Sequence, residues 1–155
     1  MSTPESGVDK KVVKTKPEIL QETLEFYSQD PARRAYNEGV CYYLKIDEDG
    51  IKRRCSVGRC LSKEAKYNGG INRHPNGVKD LATNFGENNI DNLLAPEYHG
   101  HDVDFWASLQ DLHDLTFNWT ATGLSEEGVK SLEHVCDQHD IDIEEISFEK
   151  VNVDR

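Results

Sequence analysis

Between Asp102 and Phe117 the sequence sets Phe105, Leu109, Leu112 and Thr116 three or four residues apart, with Trp106, His113 and Phe117 widening the stripe. That spacing puts one broad apolar face on a helix capped by Asp102, and such a face is stable only when other elements bury it. This helix therefore stands at the centre of any core the chain can build. Pro17 suits the first turn of an earlier helix carrying Ile19, Leu20, Leu24 and Tyr27, which Asp30 and Pro31 stop. A last helix begins at Thr122 or Ser125, with Val129, Leu132, Val135 and Cys136 on one face and Gly128 lowering its propensity.

Cys41–Asp47 and Ile51–Val57 are rich in strand-forming residues, and Glu48, Asp49 and Gly50 between them are turn formers, so a β-hairpin is expected. If Asp47 faces Ile51, then Tyr43 opposes Cys55 and Cys41 opposes Val57, with both thiols on one face. The segment Pro31 to Gly39 reads as a short helical turn carrying Arg33 and Arg34. Ser62 caps a short helix through Lys66, which Asn68, Gly69 and Gly70 are expected to end. Residues 71–100 read as loop with short helices, and beyond His139 the pairs Ile141/Ile143, Ile146/Phe148 and Val151/Val153 predict one or two strands. The expected fold is α+β, a small antiparallel sheet with a central hairpin packed against several helices. A tail over residues 1–16 lacks the apolar content for fixed structure, and residues 17–155 form one domain of ordinary size.

No apolar run approaches the roughly 18 to 20 residues a bilayer requires, which excludes a membrane-spanning helix. Met1 to Pro17 has no apolar signal region, so a cytoplasmic location is expected. Four cysteines are too few for a disulfide scaffold. The formal charge of -11 hides two opposite segments. Lys45 to Lys79 carries nine Lys and Arg against four acids, whereas Asp80 to Arg155 carries eighteen acids against three bases. The overall balance argues against direct binding of duplex nucleic acid. The acidic half suits a basic protein surface, or imitates a phosphate array, or is simply a solvated face.

Several groups carry chemistry by type. Arg53, Arg54 and Arg59 flank Cys55, Ser56, Val57 and Gly58, a run with anion-binding character in which Gly58 would let backbone amides approach a small anionic ligand. It lacks a phosphate-binding loop motif, and an exposed basic strand edge is the plainer reading. Cys41, Cys55 and Cys60 lie within twenty residues, so zinc is an alternative with His113 or His74 as fourth ligand, although no Cys-x-x-Cys pair occurs. Buried reduced thiols are the simpler expectation. A Cys/His enzyme would draw on Cys41, Cys55, His113 and Asp114, with nearby arginines lowering a thiol pKa. Neighbouring helical residues point about 100° apart, so Asp114 is not expected to orient the His113 ring. His99, His101, Asp102 and Asp104 form a compact group that suits either a divalent metal or a capped helix start.

Two motifs give a resemblance. One is Cys41-x-Tyr43, a turn, then Arg54, Cys55, Ser56, Val57, Gly58 and Leu61; the other is Phe105, Leu109, Gln110, Leu112, His113 and Asp114 followed by Trp119. Over roughly Tyr36 to His139 the chain resembles a family of small uncharacterised proteins of tailed phages and prophages. The family pattern often continues after the glycine with Ile-Pro-Asp-Glu, where this chain has Arg59, Cys60, Leu61, Ser62 and Lys63. The resemblance implies action in the cytoplasm of a bacterial host, points to Cys41, Cys55, His113 and Asp114, and brings no established activity. The expected function is a non-enzymatic accessory protein that binds and modulates a host protein through its acidic surface, such as a defence or nucleic-acid-processing complex. The alternative is a small Cys/His-dependent enzyme, or a nucleotide- or zinc-binding protein centred on the basic hairpin.

Overall fold

The computed structural model describes residues 13–30, 33, 36–37, 40–41, 43–46, 49–74, 77–114 and 118–153. Helix α1 spans Lys16–Gln29 and starts in a reciprocal capping box. The Thr15 hydroxyl accepts from the Glu18 amide at 3.3 Å, and the Glu18 carboxylate accepts from the Thr15 amide at 2.8 Å. Its apolar stripe of Ile19, Leu20, Leu24 and Tyr27 is fully buried. After α1, Arg33 lies in a 3-10 turn with its amide donating to the Asp30 carbonyl at 2.8 Å, and a strand pair follows, β1 (Tyr36–Asn37) against β2 (Val40–Cys41). Arg34 lies outside the described residues.

Strands β3 (Lys45–Ile46) and β4 (Lys52–Arg53) form the expected hairpin in the expected register, Lys45 opposite Arg53 and Ile46 opposite Lys52. The ladder is only two pairs long. Cys41 opposes Tyr36 in the preceding hairpin and not Val57, and Cys55 lies beyond the end of β4, so the two residues are not on one ladder. Past Cys55 the chain turns through Ser56 and Val57 into a 3-10 turn, Gly58–Cys60.

Short helices α2 (Lys63–Lys66) and α3 (Gly69–Asn72) follow. Asn68 does not terminate a helix: its side chain caps α3, accepting from the Gly70 amide at 2.8 Å and the Ile71 amide at 3.2 Å. Helix α4 is Val78–Phe85, α5 is Val103–Asp114 and α6 is Glu126–Gln138. The α5 stripe is the predicted core: Phe105, Trp106 and Leu109 have no exposed surface, and α4 and α6 both pack against this helix. Thr116 and Phe117, expected to extend it, lie outside the described residues. A third strand pair, β5 (Trp119–Thr120) with β6 (Gly123–Leu124), leads into α6.

One apolar cluster joins residues of all the helices with Tyr43, Cys55, Val57 and Trp119, so the architecture is α+β. The tail beyond α6 corrects the strand expectation. It forms two 3-10 turns, Ile143–Glu145 and Phe148–Lys150, then a single bridge from Val153 to Leu124. Among the described residues no helix is long and apolar enough to cross a membrane.

Candidate functional site

The last turn of α5 holds a buried polar network that gathers three of the four residues of the Cys/His set, Cys55, His113 and Asp114. Gln110 and Asp114, four apart on one helical face, meet through the Gln110 amide donating to Asp114 Oδ1 at 3.3 Å. Gln110 Oε1 accepts from the Ser56 hydroxyl at 3.0 Å and from the Val57 amide at 3.3 Å. His113 Nδ1 lies 2.7 Å from Asp114 Oδ1, with the imidazole fully buried and the carboxylate 32% exposed. The expectation that Asp114 could not orient this ring is therefore wrong. Asp114 ends the helix, and the two side chains are long enough to meet across the angle between their Cα–Cβ bonds. A carboxylate partner selects the tautomer that carries its proton on Nδ1. Tyr27 packs edge-on against the His113 ring at 4.9 Å, and its hydroxyl donates to the Arg54 carbonyl at 2.5 Å.

Cys55 joins the same network as a thiol and not as a thiolate. Burial pushes it up to about 12; hydrogen bonds from Gly58, Gln110 and Val57 offset part of that rise, and the charge of Asp114 adds to it. Cys60 is likewise raised by burial to about 11, even with Arg59 favouring the charged form. Cys55, Cys60 and Cys136 are free and buried. The expected lowering of a thiol pKa by flanking arginines does not occur because desolvation dominates. The Cys41 side chain lies outside what is described. Among the described residues no three His, Cys, Asp or Glu side chains gather as a metal-ligand set. Gly58 is also not an open anion nest, since a Cβ there would meet the Tyr43 carbonyl oxygen at 2.2 Å. Its missing side chain lets the hairpin close on itself.

The His99 to Asp104 group is used structurally. His99 Nε2 lies 2.8 Å from the Leu94 carbonyl and His101 Nε2 lies 2.7 Å from the Lys14 carbonyl. Asp102 accepts from the Phe105 amide at 3.2 Å, and Asp104 pairs with Lys79 at 2.8 Å.

Arg53, Arg54 and Arg59 all line one concavity of about 330 Å³ together with Phe26, Arg33, Ile51 and Lys52. Their roles differ. Arg59 pairs with Glu22 at 2.8 Å and reaches the Thr23 hydroxyl at 3.4 Å, fixing the 3-10 turn to α1. Glu22 also accepts from the Tyr98 hydroxyl at 2.5 Å and pairs with Lys14. Burial alone would raise the Glu22 carboxyl, and the hydrogen bonds from Lys14, Tyr98 and Arg59 outweigh it, holding the group at about 2. Arg54 donates to Asn72 Oδ1 at 3.2 Å and to the Lys66 carbonyl at 3.3 Å, tying α2 and α3 to the hairpin. Arg33 lies over the Phe26 ring at 4.7 Å.

The acidic side has its own concavity of about 640 Å³, lined by Glu18, Glu22 and Glu25 of α1 together with Glu145 and Lys150 of the tail. Paired hydrogen bonds between Gln21 and the Ser147 backbone, at 2.9 and 2.7 Å, hold the tail against α1 beside it. All nine carboxylates from Glu126 to Glu149 are exposed. Four of them bear on Cys136, whose thiol is raised to about 11 by burial first and then by Asp137, Glu133, Asp142 and Glu145. Glu18 and Glu25 were not singled out in the sequence, although Glu18, Glu22 and Glu25 repeat at helical spacing. Compared with protein-family models, with curated proteins and with solved structures, the chain finds no match in any of the three.

Proposed function

We propose that the protein is a non-enzymatic binding module that engages a cationic segment of a partner protein in the groove between α1 and the acidic tail. The observation that carries this reading is the four-glutamate concavity, in a chain whose α6 and tail carry further exposed carboxylates. Complementary potential speeds encounter and selects partners, and a groove of this size accepts Lys or Arg side chains entering between carboxylates. The neutral, buried thiols favour binding over nucleophilic catalysis. With the resemblance to phage proteins, the partner is a host protein in the bacterial cytoplasm that the module modulates.

The test is capture from bacterial lysate with the native chain and with Glu25→Lys/Glu145→Lys, which spares the capping Glu18 and the half-buried, ion-paired Glu22. The captured partner should be basic, its retention should fall as salt rises, and the double variant should weaken binding by about tenfold. A partner retained equally by both proteins contradicts the proposal.

A further inference from the structure

We infer that the basic hairpin carries a second binding site, independent of the glutamate groove, shaped for a short stretch of single-stranded nucleic acid. Two concavities of nearly equal size, about 330 and about 310 Å³, share Lys52 and Arg54. The first also holds Phe26 and Ile51, and the second holds Ile46 and Tyr67. These four are among the large apolar side chains the fold leaves exposed, at 36% for Phe26, 48% for Ile51, 58% for Ile46 and 81% for Tyr67. Among the described residues no carboxylate lines either concavity, in a chain whose formal charge is -11.

A single strand repeats one anion and one flat ring. A cationic pair shared by two concavities, each with an exposed aromatic ring, matches a phosphodiester and the bases on either side of it. Each volume stands at the lower end of small-ligand sites, room for one base at a time. An acidic peptide would use the cations and leave the exposed Tyr67 ring without a role. A duplex keeps its bases stacked inward and would bring many more phosphates towards the acidic bulk.

The probe is a fluorescent oligothymidylate of about six nucleotides, titrated at low salt into the full chain and into Lys52→Glu and Tyr67→Ala. Both side chains are exposed, so the variants should keep the native circular dichroism and melting temperature. The native protein should bind, Lys52→Glu should weaken binding about tenfold and Tyr67→Ala about fivefold. The slope of log K against log salt should be about -1 to -2, the value for two or three phosphates on a single strand. A duplex of equal length and an oligoglutamate peptide should bind more weakly. No binding of the oligothymidylate, binding that either variant leaves unchanged, or equal binding of the duplex or the oligoglutamate would overturn the inference.

Discussion

The imidazole of His113 and the carboxylate of its sequence neighbour Asp114 meet at 2.7 Å, at a helix end whose Leu112 carbonyl also accepts from the Asn118 amide at 3.1 Å and the Trp119 indole at 3.0 Å. Because Asp114 also receives the Gln110 amide, and Gln110 holds Ser56 and Val57, this pair anchors the segment after the hairpin to the central helix. Replacing Gln110 with Ala leaves the buried Ser56 hydroxyl and Val57 amide without that acceptor. Urea unfolding should show a loss of about 1–3 kcal/mol, with Asp114→Ala costing a similar amount. If both variants unfold like the native protein, the network contributes nothing to stability.

Glu22 predicts an acid limb in stability. Its carboxyl sits at about 2 in the folded protein against an ordinary 4.5, so the unfolded chain takes up its proton first. The contribution is fully present above about pH 4.5 and is lost as pH falls towards about 2. Thermal melts across that window should show a steep decline that flattens in Glu22→Gln. An identical acid profile in the variant would show that the link from Glu22 to Arg59, Tyr98 and Lys14 has no part in it.

The thiols predict the opposite limb. Cys55 at about 12 and Cys60 at about 11 lie above the ordinary 9.0, so the unfolded chain loses these protons first as pH rises. Their contribution is complete below about pH 9 and declines above it. At neutral pH a disulfide reagent should modify these sites only at the rate at which the protein opens, and fast labelling of Cys55 in the folded protein would contradict the burial described.

Gly58→Ala should destabilise by about 1–3 kcal/mol, towards the upper end, because the added methyl meets a backbone oxygen that cannot move aside. Gly77→Ala is the control, since nothing lies within 4 Å of a Cβ at that position. Equal melting temperatures for the two variants would remove the packing argument at Gly58.

The helices were legible because their signals were long. Pro17 with the Ile19 to Tyr27 stripe, Asp102 with the Phe105 to His113 stripe, and Ser125 with Leu132 and Cys136 each combine a start signal with several periods. The β3–β4 register followed from placing Asp47 opposite Ile51, but the ladder's length did not, because Cys41 pairs across the shorter connection from Tyr36. In the tail each alternating pair was only two apolar residues long, too short to separate strand from turn. There the Asp142 side chain accepts from the Glu144 amide at 2.9 Å, and that local bond competes with strand pairing. At the site, residue types were readable while their states were not. Burial decides the thiol pKa, and the cationic role of Arg59 depends on Glu22, which lies far from it in sequence.

Hydrogen exchange on the complex with the captured partner tests the central claim most directly. Amides of the middle of α1, around Gln21 to Glu25, and of the tail from Ile143 to Lys150 should gain protection on binding, while β3 and β4 keep their free-state rates. Protection confined to the hairpin, with α1 and the tail unchanged, would contradict the assignment of the partner to the glutamate groove.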